Sequence, residues 1–331
     1  MYRPHSSKRE PMSITHTHQE SAAGEAMRRN GSRRRRWIIT LSCVALAIGV
    51  AVPTVLFLRP ASAPPQRPVR YVGLYTRTSP LSYTGVRQFT GATGVRPNLL
   101  VYYSSWREPF QARFASTAAS HGAVPLVQLN PSGVSLATIA AGQYDSYLIA
   151  FARAVRAYGH PVIMSFGHEM NGSWYSWGYT KTSPQVFVAA WRHLVTVFRQ
   201  QGAGNVTWMW TVNIIEQPGG IPPPDKWWPG KAYVNWVGID GYYYRSSLTF
   251  ASLFGPTIAD VRELTGDPIL IAETAVAPTA QQPAQIDDLF AGIRLYGLLG
   301  AVWFQVDKWR LDRPAAVARF RQGAHAYQGS G

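Results

Sequence analysis

The chain has 331 residues, of which 46% are hydrophobic, 13% aromatic and 15% charged. Many aromatic residues and few charges exclude a wholly disordered protein, and the length allows one large domain with an appendage. The net charge of +15 is uneven, because residues 1–36 carry nine Lys or Arg and three Glu, hence +6. The remaining +9 is spread thinly without a basic, aromatic-rich stripe, so we expect no nucleic-acid partner. The single cysteine, Cys43, excludes an intrachain disulfide and a cysteine-based metal site.

The N-terminal part predicts a membrane anchor. Residues 1–36 are polar and basic and predict a disordered cytoplasmic tail. Residues 37–58 hold 22 residues without a charge, about the length that crosses a bilayer as one helix. The excess of basic residues before this segment predicts a cytoplasmic N-terminus, an extracytoplasmic remainder and a stiff, proline-rich linker over residues 59–69. Secretion after cleavage is the alternative, because Ala61-Ser62-Ala63 resembles a signal-peptide cleavage site.

From Tyr71 onward, short β-rich runs alternate with longer stretches of helical periodicity. The runs predict eight strands: Tyr71–Tyr75, Asn98–Tyr103, Val124–Leu129, Pro161–Phe166, Val206–Val212, Trp236–Asp240, Ile269–Ala272 and Ala301–Val306. The stretches predict helices over Phe110–Ser120, Tyr144–Tyr158, Pro184–Gln200, Phe250–Leu264 and Gln282–Tyr296. Apolar strands that alternate with helices indicate a parallel sheet covered on both faces. Eight strands in about 240 residues favour a closed α/β (β/α)₈ barrel over residues 70–331, and the absence of a Gly-x-Gly-x-x-Gly turn after the first strand argues against an open dinucleotide-binding sheet.

Polar and aromatic residues cluster where the later strands end. They are His168, Glu169, Trp174, Asn213, Asp240, Tyr242, Glu273 and Trp303. Functional groups of such barrels lie at the C-terminal ends of the strands, so these side chains should converge on one mouth. Glu169 and Glu273 follow the fourth and seventh strands and should face each other. Two facing carboxyl groups, one protonated and one ionised, are the groups that cleave a glycosidic bond with retention.

The other candidates fit a sugar site, although each also has a structural interpretation. Flat rings such as Trp174 and Trp303 stack on the apolar faces of sugars, but a buried aromatic residue is often simply core. Asn213 and Asp240 can bond sugar hydroxyl groups. A neutral His168 can orient Glu169 or bond a hydroxyl group, and it can equally be a structural histidine.

The segment 166–178 reads FGHEMNGSWYSWG and closely resembles the acid/base segment of glycoside hydrolase family 26. Residues 190–213, 234–242, 269–274 and 301–304 are similar to later parts of that family. The family contains endo-β-1,4-mannanases, some β-1,3-xylanases and mixed-linkage β-glucanases. The resemblance implies retaining hydrolysis without a metal or organic cofactor. It implies these roles: Glu169 as acid/base, Glu273 as nucleophile, and His168, Trp174, Asp240, Tyr242 and Trp303 as subsite residues.

The chain departs from this family at the third strand. Where the family commonly has Trp-Glu-Pro, this sequence has Leu129-Asn130-Pro131, and the histidine of the mannanases near that strand has no clear equivalent. Both changes fall where substrate is contacted. The expected substrate is therefore mannan or a related β-linked polysaccharide, bound by a monomeric catalytic domain.

Two other functions remain open on the same barrel. A catalytically weak protein could bind carbohydrate or scaffold an exopolysaccharide system with the same aromatic residues. A transglycosylase could use the same covalent intermediate and pass the sugar to an acceptor other than water. The choice between water and a sugar acceptor depends on access to that intermediate.

Overall fold

The computed structural model describes residues 69–216 and 220–329. The predicted tail (1–36), the predicted membrane segment (37–58) and the linker up to residue 68 lie outside them. Within the described ranges, no helix combines the length and the apolar character that crossing a bilayer requires.

Eight parallel strands form a closed barrel in chain order, in which β8 pairs with β1. The strands are β1 Tyr71–Thr76, β2 Leu99–Ser105, β3 Val124–Asn130, β4 Val162–Phe166, β5 Val206–Asn213, β6 Trp236–Asp240, β7 Ile269–Thr274 and β8 Gly300–Gln305. Each predicted strand is confirmed, with its ends within two residues of the prediction. The apolar runs are strands because both of their faces are buried, one inside the barrel and one under the helices.

The helices of the described residues are α1 Thr84–Thr93, α2 Ala112–Ser120, α3 Leu136–Ala140, α4 Asp145–Tyr158, α5 Pro184–Gln200, α6 Phe250–Leu264, α7 Gln282–Leu295 and α8 Pro314–Gly329. The five predicted helices are confirmed as α2 and α4 to α7. The prediction missed α1, α3 and α8, and in α1 two glycines and three threonines lower the helix propensity. Between β5 and β6 the chain makes two 3₁₀ turns, Asp225–Trp227 and Lys231–Tyr233, after three consecutive prolines that cannot donate backbone hydrogen bonds.

Strand residues alternate between the helix layer and the barrel interior. The interior is filled by a smaller apolar cluster, which includes Leu99, Val101, Leu126, Ile163 and Met209. The larger cluster lies between strands and helices and includes Leu74, Phe89, Trp303 and Phe320. This alternation decides which residue at each strand end reaches the mouth of the barrel.

Candidate active site

Three buried carboxyl groups meet at the C-terminal mouth of the barrel. Glu169 follows β4, Asp240 ends β6 and Glu273 lies near the end of β7. One carboxylate oxygen of each lies within 4.8 Å of the others. The register between β6 and β7 shifts just before Asp240 and Glu273, at the point where these side chains converge. The structure therefore brings together the two glutamates that the sequence placed on opposite strands, and adds Asp240 between them.

Two donors hold the carboxylate of Glu169. Asn213 Nδ2 donates to Oε1 at 2.5 Å, and Trp174 Nε1 donates to Oε2 at 2.7 Å. The backbone of Glu169 has φ +54°, a left-handed conformation that is costly for a residue with a Cβ atom. Its N–H donates to Thr211 O at 2.9 Å, which ties this turn to β5. The turn directs Glu169 towards the mouth.

Two tyrosines hold the carboxylate of Glu273. Tyr242 Oη donates to Oε2 at 2.7 Å, and Tyr103 Oη donates to Oε1. Sequence reasoning missed Tyr103, although its position as the last residue of the predicted second strand was a usable signal. It lies at the same end of the barrel as the carboxyl groups. Each oxygen of Glu273 therefore has its own phenol donor.

The mouth disfavours two negative charges. Burial, followed by the nearby Glu169 charge, raises the pKa of Glu273 to about 8, although the phenol donors Tyr103 and Tyr242 oppose the shift. Burial also raises the pKa of Glu169, while the Asn213 and Trp174 donors lower it. Because the two carboxyl groups interact, they titrate together, and their pKa values belong to the pair. A pair that shares one proton supplies one acid and one anion.

His168 is neutral and fixed in orientation. Burial lowers its pKa to about 3. Because Asn130 Oδ1 can only accept, Nδ1 donates to it at 3.0 Å, and Nε2 accepts from the hydroxyl group of Tyr175 at 3.0 Å. Nε2 also lies 4.0 Å from Glu273 Oε1, where a neutral ring forms no ion pair. Asn130 is the residue at which the chain departs from the family pattern, and here it orients His168.

Asp240 is fully buried, and neither of its oxygens has a hydrogen-bond partner among the described residues. Burial, followed by the charges of Glu273 and Glu169, raises the pKa of Asp240 well above its usual value. A buried carboxyl group without a partner costs free energy, so a ligand that bonds it gains this energy back. The group is placed to bond whatever enters between the two glutamates.

The prediction that Trp303 lines a sugar subsite is wrong. Its ring lies on the outer face of β8 against Phe320 of α8, with centroids 5.3 Å apart, and the side chain is 1% exposed. The next residue, Phe304, faces the mouth, where its ring stacks on Tyr75 at 4.7 Å and meets Tyr242 edge-on at 5.8 Å. The strand alternation places the two neighbours on opposite faces, and sequence reasoning chose the wrong one.

The opposite orientations of Trp303 and Phe304 predict different effects for their alanine variants. We expect Trp303→Ala to lower the free energy of unfolding by about 3–5 kcal/mol, because it empties a buried site behind β8. At temperatures where the variant is folded, its KM should match wild type. We expect Phe304→Ala to leave stability closer to wild type and to raise KM, since its ring borders the mouth. Thermal melts and steady-state kinetics would check both, and a raised KM in folded Trp303→Ala would contradict the assignment.

Tyr103 supports a second prediction. We expect Tyr103→Phe to shift the acidic limb of the pH profile of kcat/KM to higher pH, because the lost donor had lowered the pKa of Glu273. Tyr242→Phe is the matched variant, since it removes the donor to the other oxygen. A profile measured from pH 4 to pH 9 with one soluble substrate would check this. An unchanged acidic limb in both variants would show that the phenols do not act on Glu273.

The three carboxyl groups could also offer oxygens to a cation. However, Glu169 and Glu273 already receive four donors from Asn213, Trp174, Tyr103 and Tyr242, and donors directed at both oxygens leave little room for metal ligation. The absence of a metal or organic cofactor stays a prediction from the sequence.

A closed (β/α)₈ barrel with facing buried carboxyl groups at its mouth is typical of glycoside hydrolases. Residues 139–265 match the family model described as glycosyl hydrolase family 26. This match spans 127 of the 331 residues and supports assignment of the chain to the family. A curated relative, Endoglucanase H of Acetivibrio thermocellus, is 28% identical over 275 residues, which is 77% of this chain and 30% of the relative.

Further relatives carry other names. Beta-1,3-xylanase TXYA of a Vibrio species is 30% identical over 104 residues, which is 30% of this chain and 21% of that protein. The catalytic domain of an endo-β-1,4-mannanase from Bacillus sp. JAMB-750 is a similar solved structure, with TM-score 0.62, 14% identity, and coverage of 78% of this chain and 86% of that one. This likeness shows the same fold. The chain thus spans less than a third of the length of these curated relatives.

Proposed function

We propose that this protein is a retaining, endo-acting glycoside hydrolase that cleaves a β-linked polysaccharide. The observation that carries the proposal is the facing pair, because a carboxylate oxygen of Glu169 lies within 4.8 Å of one of Glu273. Retaining enzymes have carboxyl groups about 5–5.5 Å apart, whereas inverting enzymes leave about 6.5–9.5 Å for a water molecule. The short separation supports retention.

In the first step, Glu169 gives its proton to the glycosidic oxygen as the bond from this oxygen to the anomeric carbon breaks. An oxygen of Glu273 attacks the same carbon and forms a glycosyl ester. In the second step, the Glu169 carboxylate takes a proton from water, whose oxygen attacks the anomeric carbon and releases Glu273. Two inversions at one carbon give net retention.

The remaining groups suit a sugar at this point. Asp240 has two oxygens that sugar hydroxyl groups can bond. Trp174 is 46% exposed beside Glu169, so its ring is available to a sugar on the leaving-group side. Tyr242 and Phe304 border the other side, next to Glu273. Asn213 reaches Glu169 directly and can also bond the sugar at the reacting carbon.

The polysaccharide is mannan or a related β-glycan. The names of the similar proteins include an endoglucanase, a β-1,3-xylanase and an endo-β-1,4-mannanase, so β-linked polymers are their shared chemistry. Asn130, which replaces the family's usual glutamate, orients His168 beside the sugar site and argues against a simple transfer of any one of these substrates. Incubation of the full chain, in detergent, with mannan, β-1,3-xylan and mixed-linkage β-glucan would test the proposal. NMR of the first products would follow their anomeric configuration, and initial α products would overturn retention.

The same experiment separates hydrolysis from the alternatives. Products longer than the starting oligosaccharide would identify a transglycosylase, and binding without any product would identify a carbohydrate-binding protein. We further propose that residues 37–58 anchor the protein in the membrane, with the barrel outside the cytoplasm. The charge asymmetry of the sequence supports this. Extraction of the full-length protein from membranes by alkaline carbonate would contradict the anchor.

A further inference from the structure

A cavity of about 940 Å³ lies outside the barrel between α1 and α8, beside the ends of β1 and β8. We refer to it as the α1–α8 groove. Gln88 and Ala92 on α1 and Ala318 on α8 are exposed along its walls, and the buried Phe89 and Leu311 form its apolar floor. Its volume is in the range of ligand sites, about 300–1,000 Å³. No step of the proposed reaction uses it.

Three arginines and two aspartates line the α1–α8 groove, so its charges nearly cancel and favour a neutral ligand. Arg77 forms an ion pair with Asp307, and Arg321 Nε donates to the backbone oxygen of Thr93. Arg310 and Asp312 also line the cavity and form no ion pair or side-chain hydrogen bond within the described ranges. Arg310 and Asp312 offer donors and acceptors of opposite charge, and Arg321 leaves a net charge of only +1 around the cavity. Such planar groups above an apolar floor can bond the hydroxyl groups of a sugar and contact its C–H faces.

The α1–α8 groove begins directly behind the wall of the mouth. Thr76 and Gln305 pair across β1 and β8, and both line the groove. Their chain neighbours Tyr75 and Phe304 stack on each other at the mouth. A polymer that leaves the mouth over β1 and β8 therefore meets the groove next.

The rim between the mouth and the α1–α8 groove has a strained backbone. Asp307 has φ +46°, which costs free energy in a residue with a Cβ atom and is often found at functional sites. The 3₁₀ turn Asp307–Trp309 starts there, and Trp309 lies over Tyr242 with centroids 4.9 Å apart. Tyr242 bonds Glu273. Aromatic rings thus lead from the carboxylate of Glu273 to the edge of the groove.

We propose that the α1–α8 groove is a distal subsite for neutral sugar units of the polysaccharide, on the glycone side of the cleaved bond. The proposal rests on the proposed function. Glu169 would protonate the leaving group, so the β4 side of the mouth borders the aglycone. In a barrel of eight strands, β8 lies opposite β4, and a chain that passes over β8 carries the glycone. Binding there stabilises the transition state only for substrates long enough to reach it.

A bulky side chain that fills the α1–α8 groove tests whether it is a distal subsite. We expect Ala318→Trp to lower kcat/KM by about tenfold for a six-unit oligosaccharide and by less than about twofold for a three-unit one. Ala92→Trp on the facing wall should act alike. The substrates are β-1,4-manno-, β-1,3-xylo- and mixed-linkage β-gluco-oligosaccharides, each labelled at the reducing end so that the cleaved bond is identified. Arg310→Ala removes a polar group without adding bulk and should give a smaller loss with the same dependence on length.

Ala150→Trp is the matched control, because Ala150 is exposed on α4, away from the α1–α8 groove, and should leave both rates unchanged. Equal losses on short and long substrates, or no loss on the long one, would overturn the distal subsite while the proposed function stands. A loss of kcat/KM that depends only on the number of sugar units on the aglycone side of the cleaved bond would also overturn it. Wild-type protein that cleaves none of these oligosaccharides or their polymers would overturn the proposed function itself.

Discussion

We expect the Glu273→Ala variant to lose turnover by roughly four orders of magnitude or more, because no other group can form the glycosyl ester. Tyr103 and Tyr242 hold the two oxygens of this carboxylate at the mouth and cannot replace it as nucleophile. Hydrolysis of the best polymer from the substrate screen would measure the loss. Glu216→Ala is the matched control, since Glu216 is an exposed glutamate that bonds Tyr244 and should be dispensable. Substantial turnover by Glu273→Ala would remove the carboxylate pair from the mechanism.

The same residue makes a prediction about stability. Burial raises the pKa of Glu273 from 4.5 to about 8, so the folded state binds its proton more tightly than the unfolded state. A raised pKa contributes stability below the unfolded value that is lost as pH rises through the folded value. Wild type should therefore lose stability relative to Glu273→Gln between pH 4.5 and pH 8. Thermal melts across this range would check the sign, and they would also show that the inactive variants are folded.

We expect Glu169→Ala to separate the two steps of the reaction. Hydrolysis of polymer should fall by about 10²–10⁴-fold, because the sugar leaving group then departs without a proton. An aryl glycoside with a good leaving group should still form the glycosyl ester, so the variant should release one burst of phenolate and then turn over slowly. Azide, a nucleophile that needs no general base, should restore the second step. Stopped-flow absorbance and NMR of a β-glycosyl azide product would measure both.

Further measurements distinguish a catalytic role of Glu169 from a structural one. The alkaline limb of the pH profile should disappear in Glu169→Ala, because it reports the proton that this residue donates. Glu273→Ala should give no burst, since it forms no ester. Azide should give a product of the opposite anomeric configuration in Glu273→Ala, if it gives one. Wild-type rates on polymer by Glu169→Ala would be incompatible with its role as acid.

Much of the fold could be predicted because apolar periodicity is a local property of the chain. Eight apolar runs predicted eight strands, and the spacing of Glu169 and Glu273 placed them on the fourth and seventh. The helices α1, α3 and α8 were missed, and in α1 glycine and threonine oppose a helix. In α1, packing on the barrel outweighs this preference. Propensity is a weak guide where tertiary contacts supply the stability.

The site shows the same division between local and tertiary information. The sequence by itself determined which carboxyl groups end the strands, since each stands directly after an apolar run. Only the tertiary structure decided that Trp303 points into the helix layer and Phe304 into the mouth, because one residue of register reverses every side chain of a strand. It also paired Tyr103 with Glu273, 170 residues away, and opened a groove between α1 and α8. Contacts between residues so far apart depend on closure of the barrel, which no local pattern encodes.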